Sequence, residues 1–387
     1  MNKIRHLEII LKVSERCNIN CTYCYVFNLG NELAVNSKPV IAASTIEDLR
    51  RFLENAAITH DIDTLVIDFH GGEPLMIGKK KFAAACKIFR AGNYGNAELH
   101  LACQSNGILI DDEWIDLFSK YHVGVGVSID GPKHINDKHR LDRKGRSTYE
   151  GTVNGFRLLQ SAYAAGRLHL EPGILSVANP SVTGAEIYRH FVDTLNCQRF
   201  DLLIPDESHA SCKDPNEIAD FYCSAIDEFF ADGNPNIDIR YISTHIHSII
   251  GNDHAPAIGV NKATSDVFAL TVMSDGEIYL DDTLRSTNHE LFSPIGNVRS
   301  LALSDVMDSW QFKKSSDIEN NLPSDCTGCI WKKVCSGGSM IQRFSKEEAF
   351  QRKSVYCPSL KKIFSRIAAH LISAGIPEER ISKNLEG

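Results

Sequence analysis

The 387-residue sequence lacks any apolar run that approaches the roughly 18 residues of a membrane-spanning helix. Its first residues lack the apolar core of a signal peptide. It also lacks an excess of positive charge, because the formal net charge is −8, whereas a general nucleic-acid-binding protein usually has a basic stripe. These absences predict a cytoplasmic protein that binds neither a membrane nor nucleic acid.

Cysteine, by contrast, is abundant, because the chain has 12 cysteines. Without a secretory signal, this number indicates metal and thiol chemistry in a reducing compartment more than disulfides. Three of them, Cys17, Cys21 and Cys24, lie within eight residues, shortly after the apolar run 7–13. That run predicts a buried first strand, and the polar residues 14–28 predict a loop that leaves it.

Three closely spaced thiolates can bind one inorganic core. Cysteine thiolates hold iron–sulfur clusters, usually four to a cubane, so a set of three leaves one iron available to a substrate or cofactor. The alternative is a zinc knuckle or three structural thiols, although zinc sites favour a C-x2-C pair combined with a second pair or with histidines. The x3 and x2 spacings, with Tyr23 just before Cys24, favour an iron–sulfur cluster.

Strand-like and helix-like segments alternate between residue 7 and about residue 230. The predicted strands are 7–13, 65–69, 98–103, 123–129, 170–177 and 200–204. The predicted helices are 44–58, 79–91, 111–120, 148–164, 184–195 and 215–231. Six strand–helix units imply a parallel sheet with helices outside and with sites at the carboxyl ends of the strands. A partial (β/α)6 barrel and an open doubly wound sheet both fit this periodicity.

Motifs suited to ligand binding follow three of the predicted strands. The sequence HGGEP at 70–74 offers backbone that a ligand can approach closely, then one carboxylate that suits an ammonium group. A plain turn with an exposed glutamate is the alternative. Asn106 follows the third strand. Ser128 lies on the fourth strand, and Arg140 offers a guanidinium that fits a carboxylate.

The C-terminal part contains a second group of cysteines. A hairpin is predicted before it, with strands at 267–273 and 277–280 around a Ser-Asp-Gly turn. The cysteines then follow as C-x2-C-x5-C with one late member: Cys326, Cys329, Cys335 and Cys357. Four thiolates can fully ligate one metal centre, so a zinc ribbon is the alternative to a second iron–sulfur cluster.

The CxxxCxxC loop, with its aromatic residue and its place after the first strand, resembles the signature of radical S-adenosylmethionine (SAM) enzymes. The resemblance implies a partial (β/α)6 TIM-like barrel and a 4Fe–4S cluster on Cys17, Cys21 and Cys24 that binds SAM. SAM would then yield a 5′-deoxyadenosyl radical that abstracts a substrate hydrogen, because the cofactor carries this chemistry and the protein positions it. The resemblance also implies SAM contacts for the matching residues: Tyr23, Gly71, Gly72, Glu73, Asn106, Ser128 and Arg140.

The order of hairpin, Gly-Asn, helix and late cysteines resembles the SPASM extension of radical SAM peptide maturases. It implies a barrel over 1–235 and a SPASM-like domain over 236–387. The full SPASM pattern has more cysteines and two auxiliary clusters, but here the pair flanking the hairpin is missing, and Asp281 and Ser339 stand where that pattern has cysteines. The remaining set, Cys326, Cys329, Cys335 and Cys357, implies one auxiliary 4Fe–4S cluster and two clusters in all.

In finer features the chain is most similar to XYE-type maturases, which form three-residue cyclophanes in ribosomally made peptides. This implies a precursor-peptide substrate and a carbon–carbon bond from an aromatic ring to the β-carbon of a nearby residue. Asp282 matches the aspartate that acts as base in the related sulfatase maturases, and a solvated turn at Asp281-Asp282 is the alternative. An electron donor such as flavodoxin or ferredoxin is also implied.

Two other functions stay open from the sequence. One is a formylglycine-forming sulfatase maturase or a thioether-forming peptide maturase, and the loss of the first auxiliary cluster weighs against it. The other is a non-catalytic iron–sulfur scaffold or redox sensor, and the predicted SAM pocket weighs against it because a scaffold has no need of one. Formation of 5′-deoxyadenosine under reducing conditions distinguishes an enzyme from a scaffold.

Overall fold

The computed structural model of the protein describes residues 4–29, 32–251 and 267–386. Most strands fall where an apolar run is bounded by glycine or polar residues, as the sequence predicts. In chain order they are β1 (His6–Ser14), β2 (Thr64–Gly71), β3 (Glu98–Ser105), β4 (Val123–Ser128), β5 (Gly173–Val177), β6 (Arg199–Leu203), β7 (Asp238–Ile239), β8 (Val267–Val272), β9 (Glu277–Tyr279) and β10 (Gly296–Asn297).

Helices alternate with these strands. They are α1 (Leu33–Asn36), α2 (Ala43–His60), α3 (Lys79–Arg90), α4 (Asp112–Tyr121), α5 (Lys133–Asn136), α6 (Tyr149–Ala164), α7 (Gly184–Arg189), α8 (Glu217–Asp232), α9 (Arg240–Ile250), α10 (Leu303–Asp308), α11 (Trp310–Asn320), α12 (Lys332–Cys335), α13 (Met340–Arg343), α14 (Cys357–Ser373) and α15 (Glu378–Glu386). Short 3-10 turns cover Pro74–Ile77, Asp282–Thr287 and Ser324–Cys326. Within the described ranges, no helix combines the length and the apolar character needed to cross a membrane.

The chain divides into two compact units, each built from several segments. The described part of the first unit comprises residues 4–29, 32–129, 136–172 and 267–315. In this unit β1 pairs in parallel with β2 on one side and with β8 on the other, and β3 and β4 continue the parallel sheet. β9 and β10 extend the β8 edge by antiparallel pairing. Strand β1 is therefore an interior strand, as its nearly continuous apolar sequence predicts.

Aromatic side chains fill the space between the sheet of the first unit and two of its helices. Phe82 of α3 contacts Phe69 of β2, with ring centroids 4.8 Å apart. The same ring meets Trp114 and Phe118 of α4 edge-on, at 5.2 and 5.8 Å. Such pairs add to the free energy that burial of each ring contributes. This cluster fixes β2, α3 and α4 together, so that the loop after β2 starts from a rigid base.

The described part of the second unit comprises residues 130–135, 173–251 and 316–386. Its strands β5, β6 and β7 form a parallel sheet. Helix α14 packs against α8, where the His370 ring stacks on Phe230 at 4.5 Å and its Nε2 lies 2.7 Å from Asp227 Oδ1. Because α14 begins at Cys357, this packing fixes the position of the last cysteine in the second group.

All six strands predicted for the N-terminal part are present, and the predicted α/β fold class is confirmed. The predicted hairpin is also present, as β8 and β9. Its place in the sheet was not predicted, because the parallel pairing of β8 with β1 joins segments from opposite parts of the chain and leaves no local signal in the sequence. The domain boundary predicted at 235/236 stays a prediction.

Candidate active site

The cysteine loop leaves the carboxyl end of β1 and is held by backbone hydrogen bonds to a distant segment. The N–H of Asn20 donates to the carbonyl of Leu141 at 2.8 Å, and the N–H of Thr22 donates to the carbonyl of His139 at 3.1 Å. Backbone bonds of this kind do not depend on side-chain rotamers. They therefore keep the loop beside segment 139–141, which contains the predicted SAM-binding Arg140.

A tight turn carries the last two cysteines of the loop. The N–H of Cys24 donates to the carbonyl of Cys21 at 3.0 Å. Asn28 closes the turn, because its side-chain Nδ2 donates to the Cys21 carbonyl at 2.7 Å and its N–H donates to the Cys24 carbonyl at 2.8 Å. The C-x2-C spacing therefore has a local structural reason, since it fits one turn of backbone closed by an asparagine.

The three thiols of this loop are electrostatic neighbours. Burial raises the pKa of Cys17 to about 12, and Glu73, Cys21 and Cys24 add to the rise. Thiols of this kind lose their protons to a positively charged metal core, so the donor set suits an iron–sulfur cluster. Across the ranges that the structure describes, no three His, Cys, Asp or Glu side chains converge on a single metal position. The assignment of these cysteines as ligands stays a prediction.

The two glycines after β2 allow the backbone of that strand to approach the start of the cysteine loop. A Cβ on Gly71, whose φ is +140°, would lie 2.1 Å from the carbonyl oxygen of Ser14. A Cβ on Gly72 would lie 2.4 Å from that of Arg16, and the Gly72 N–H donates to the Ser14 carbonyl at 2.7 Å. The close approach that glycine permits here is made to protein backbone, whereas the predicted contact with SAM stays a prediction.

Glu73 is a buried carboxylate that joins the ends of β2 and β3. It accepts hydrogen bonds from the Ser105 hydroxyl and the Asn106 N–H, both at 2.8 Å, and from the Leu75 N–H at 3.1 Å. Burial raises the pKa of Glu73, while these donors oppose the rise. An ionised carboxylate can accept about four hydrogen bonds. Glu73 therefore keeps capacity for one more donor, which leaves its predicted contact with the SAM amino group chemically possible.

Asn106 connects β3 to the cysteine loop. Its Nδ2 donates to Asn18 Oδ1 at 2.7 Å, and its Oδ1 accepts from the Ile108 N–H at 3.1 Å. The same Nδ2 lies 4.0 Å from the Sγ of Cys17. The amide therefore positions the first cysteine of the loop, and the predicted contact of Asn106 with SAM stays a prediction.

Arg140 and Tyr23 contact each other, as two predicted SAM-binding residues should. Arg140 is 7% exposed, and its Nη1 donates to the Tyr23 hydroxyl at 2.8 Å. Ser128 accepts a hydrogen bond from Gln104 Nε2 at 2.9 Å. Gln104 was not predicted, although its place on β3 beside the fourth strand was a signal for it. The SAM assignments of Tyr23, Ser128 and Arg140 stay predictions.

Asp282 lies in a buried cluster of charged residues at the carboxyl ends of β1 and β2. Its carboxylate forms an ion pair with the Lys12 ammonium, and Lys12 is fully buried. The Tyr25 hydroxyl donates to Asp282 Oδ2 at 3.2 Å. Lys12 Nζ also donates to His70 Nδ1 at 3.1 Å. The alternative of a solvated Asp281-Asp282 turn is wrong for Asp282, because its side chain is buried and paired.

The charges around Asp282 keep it ionised. Burial alone would raise the pKa of Asp282, but the charge and hydrogen bond of Lys12, together with the charge of Arg285, hold it below its ordinary value. Burial and the positive charge of Lys12 lower the pKa of His70 to about 3, so His70 is neutral and accepts the Lys12 hydrogen bond. The site therefore presents one buried carboxylate whose counter-ion is also buried.

The sequence analysis missed the partners of Asp282: Lys12, Tyr25, His70 and Arg285. One signal could have revealed Lys12, because a lysine inside an apolar strand needs a counter-ion when it is buried. Glu15 was also missed. Its side chain is fully buried, and burial raises its pKa while the charges of Lys12 and Arg285 oppose the rise. Asp281 has a separate role, since it caps the following turn by accepting from the Thr283 N–H at 2.9 Å.

The second cysteine group lies in the second unit. The N–H of Cys329 donates to the Cys326 carbonyl at 3.3 Å, so this C-x2-C pair also forms one turn. Cys335 ends α12, and Cys357 begins α14. Burial raises the pKa of Cys335 to about 12, and the other three thiols add to the rise. Four thiols that act on one another in this way fit a single cluster, and their assignment stays a prediction.

Parallel strands that end in a cysteine loop and in buried charged residues are the arrangement expected of an α/β enzyme whose site lies at the carboxyl ends of its strands. Residues 11–170 match the model of the Radical SAM superfamily. The chain is a radical SAM enzyme, and the predicted cofactors, SAM and 4Fe–4S clusters, are confirmed. The non-catalytic scaffold that the sequence left open is therefore excluded.

Similar proteins cover nearly the whole chain. It is 28% identical over 385 residues to the cysteine-type anaerobic sulfatase-maturating enzyme of Clostridium perfringens strain 13, which covers 95% of this chain and 98% of the relative. It is 23% identical over 397 residues to the serine-type enzyme of Bacteroides thetaiotaomicron, at 94% and 90% coverage. Its fold matches native anSMEcpe with bound AdoMet and Kp18Cys peptide, with a TM-score of 0.80, 24% identity and coverage of 95% and 99%.

These relatives correct the predicted function. The prediction of an XYE-type, cyclophane-forming crosslinker is wrong, because four relatives that match over 94–95% of this chain are anaerobic sulfatase-maturating enzymes. The alternative that the sequence left open, a formylglycine-forming maturase, agrees with them better. The error has a physical reason, since missing cysteines report how many clusters a chain can hold and carry no direct information on the substrate.

Proposed function

We propose that this enzyme oxidises the side chain of a cysteine or serine residue in a peptide substrate to formylglycine. The similarity to a cysteine-type anaerobic sulfatase-maturating enzyme over 98% of that relative's length carries the proposal. Similarity to a serine-type enzyme keeps both substrate residues open. The match to a peptide-bound structure supports a peptide as the substrate.

The residues at the strand ends of the first unit suit SAM and its cluster. The thiols of Cys17, Cys21 and Cys24 offer three ligands on one loop. The buried guanidinium of Arg140 suits the SAM carboxylate, and Glu73 suits its ammonium group. When bound, SAM and this cluster supply the removal of one hydrogen atom from a substrate carbon, and an auxiliary cluster on the second cysteine group supplies an acceptor for one electron. A flavodoxin or ferredoxin suits the role of external electron donor.

Removal of the proton is the step of the reaction for which the protein's own side chains are needed. Oxidation of a thiol or hydroxyl side chain to the aldehyde level removes one hydrogen atom, one proton and one electron. A serine then becomes the aldehyde directly, whereas a cysteine gives a thioaldehyde that water hydrolyses with release of hydrogen sulfide. A buried base beside the substrate side chain is needed to accept the proton.

Asp282 has the properties of this base. It is ionised at neutral pH because Lys12 holds its pKa below the ordinary value against the effect of burial. The Tyr25 hydroxyl fixes the orientation of the carboxylate. Asp281 is less available, because one of its oxygens accepts from both the N–H and the hydroxyl of Thr283, at 2.9 and 2.7 Å.

Peptide oxidation can be tested with two matched substrates. A sulfatase-derived peptide with one cysteine, and its serine counterpart, would be incubated anaerobically with reconstituted enzyme, SAM and dithionite. We expect an aldehyde at the cysteine or serine position, found by mass spectrometry and trapped with a hydrazide, together with 5′-deoxyadenosine. Deoxyadenosine without aldehyde from either peptide would contradict the proposal, because SAM cleavage would then be uncoupled from oxidation of these side chains.

Asp282→Asn tests the base, since it keeps the shape of the side chain and removes its basicity. We expect this variant to cleave SAM but to form little aldehyde. Asp281→Asn is the matched control, because the new amide oxygen can still accept from Thr283, and it should form aldehyde at nearly the unmodified rate. If Asp282→Asn forms aldehyde as fast as Asp281→Asn does, Asp282 is not the base.

A further inference from the structure

Arg343, at the end of α13, is a cation buried in the second unit. It is 1% exposed. Its Nε donates to the carbonyl of Phe350 at 3.1 Å, and its Nη1 donates to that of Ile318 at 2.9 Å. Both acceptors are neutral, and the described residues provide no carboxylate within ion-pair distance. Its Nη2 is buried with no hydrogen-bond acceptor in the described structure. A full positive charge is therefore held inside the protein without a close ion pair among the described residues, and the Cys326 thiol and the Glu319 carboxylate act on it only electrostatically.

The guanidinium lies beside the second cysteine group. A Cβ on Gly337, two residues after Cys335, would lie 3.7 Å from Arg343 Nη1. Cys326 lies within electrostatic reach of the guanidinium: burial raises the pKa of Cys326, the Cys357 thiol adds to the rise, and Arg343 opposes it. Two segments that carry predicted ligands therefore face this cation.

Helix α13 is also attached to the segment that leads to the last cysteine. The N–H of Val355 donates to the Gln342 carbonyl at 2.8 Å, and the Ser354 hydroxyl donates to Gln342 Oε1 at 3.0 Å. Ser354 in turn accepts with its carbonyl from the N–H of Cys357 at 2.9 Å. The residue next to Gln342 is Arg343, so its backbone position is fixed relative to this part of the ligand set as well.

A buried cation next to a cluster has a defined electrostatic effect. A 4Fe–4S cluster on four thiolates carries a net negative charge, and reduction makes it more negative by one unit. Charge and hydrogen bonds near the cluster are among the factors that set its reduction potential. A positive charge in a medium of low dielectric stabilises the reduced form more than the oxidised form, so it raises the potential.

We propose that the buried charge of Arg343 raises the reduction potential of the auxiliary cluster held by Cys326, Cys329, Cys335 and Cys357. The inference rests on the auxiliary cluster of the proposed function. Its consequence is that the cluster becomes a better acceptor for the electron that leaves the substrate. In this role Arg343 acts on the electron acceptor and takes no direct part in the reaction.

The test needs a protein whose signal comes from the auxiliary cluster alone. The full-length variant in which Cys17, Cys21 and Cys24 are replaced by Ala provides this background after anaerobic reconstitution with iron and sulfide. Potentiometric titration followed by electron paramagnetic resonance then gives the midpoint potential. We expect Arg343→Met to make it more negative, with a change of about tenfold or more in the ratio of reduced to oxidised cluster at a fixed potential, or about 59 mV for a one-electron couple. Arg343→Lys keeps the charge and should lose only a minor part of the effect.

Lys353→Met is the matched control for a change of one positive charge. Lys353 is 45% exposed and pairs at 3.3 Å with Asp325, the residue before Cys326. Because solvent and Asp325 already screen its charge, we expect the midpoint potential to stay unchanged. A shift of equal size in Lys353→Met and Arg343→Met would overturn the proposal, since total charge rather than the buried guanidinium would then set the potential.

The remaining outcomes separate this inference from the ligand assignment. An intact cluster with an unchanged potential in Arg343→Met overturns the role of Arg343 alone. Absence of any cluster from the triple cysteine variant overturns the ligand assignment, and this inference with it. If Arg343→Met loses the cluster while Arg343→Lys keeps it, Arg343→Gln replaces Arg343→Met in the titration, and an unchanged potential in that variant overturns the proposal. Loss from both variants marks Arg343 as a structural connection only and overturns the proposal.

Discussion

Two buried carboxylates in the first unit have pKa values that are shifted in opposite directions. Glu73, after β2, accepts hydrogen bonds from neutral donors, and burial raises its pKa. Asp282, after β9, forms an ion pair with buried Lys12, and its pKa lies below the ordinary value despite burial. Burial is nearly the same for both, at 1% and 6% exposure. The partner therefore decides whether the pKa of a buried carboxyl lies above or below its ordinary value.

The largest expected effect on stability comes from removing Lys12, the cation that is paired with Asp282. Lys12→Met leaves Asp282 as a buried charge without its ion-pair partner, which should lower the free energy of unfolding by about 3–5 kcal/mol. Urea unfolding of the purified protein measures the change. The double variant Lys12→Met/Asp282→Asn removes both charges and should recover part of the loss. If the double variant is no more stable than the single one, the ion pair is not the source of the effect.

Glu73→Gln tests the carboxylate that is held by neutral hydrogen-bond donors. The amide replaces one acceptor oxygen with a donor, so either the Asn106 N–H or the Ser105 and Leu75 donors face an N–H2 group. We expect a loss of about 1–3 kcal/mol in the free energy of unfolding, together with weaker SAM binding. Glu113→Gln is the control, because Glu113 is 78% exposed and its substitution should stay within about 0.5 kcal/mol. A loss of SAM affinity at unchanged stability would mark Glu73 as a ligand rather than an anchor.

The opposite pKa shifts predict opposite slopes of stability with pH. The pKa of Asp282 is lowered from 3.8, so its favourable contribution is present above that pH and is lost as pH falls through the lower folded value. The pKa of Glu73 is raised from 4.5, so its unfavourable contribution appears as pH rises above that value. Urea midpoints from acid to neutral pH should therefore show the advantage of the unmodified protein over Asp282→Asn shrinking in acid. Parallel curves for these two proteins would contradict the lowered pKa.

The smallest expected effect is that of Tyr25→Phe. This change removes one hydrogen bond to Asp282 and keeps the ring, so we expect a loss of about 1 kcal/mol and a small rise in the pKa of Asp282. The acid limb of the pH–rate profile for aldehyde formation should then shift to higher pH. The shift should be larger in Lys12→Met. Tyr163→Phe serves as the control, because Tyr163 is 41% exposed. This substitution should leave both the free energy of unfolding and the pH–rate profile unchanged.

Local patterns in the sequence were sufficient for much of the fold and of the site. The cysteine spacing, the glycines before Glu73 and the position of Arg140 are short-range signals, and the structure gathers these residues at one set of strand ends. Tyr23 and Arg140, 117 residues apart, contact each other because the loop and segment 139–141 share backbone hydrogen bonds. The Radical SAM assignment could therefore be made before any three-dimensional information.

The surroundings of Asp282 could not be predicted in the same way. Lys12 and Asp282 meet because β8 pairs with β1, and no periodicity or turn signal reports a pairing over that distance. The function was also predicted wrongly at its finer level. Four retained cysteines indicate one auxiliary centre, yet the bond that the enzyme makes or breaks depends on how the peptide lies in the site, which no cysteine count contains.

The parallel pairing of β8 with β1 also means that β1 acquires its second neighbouring strand only late in the synthesis of the chain. Residue 282 leaves the ribosome 270 residues after residue 12, which takes roughly 14–54 s at a translation rate of about 5–20 residues per second. During that interval one edge of β1 has no neighbouring strand, and the Lys12 ammonium has no counter-ion. Contacts between such distant residues also slow folding. The nascent protein therefore passes through a long period in which one edge of an apolar strand lacks its partner, and an unpaired strand edge favours aggregation.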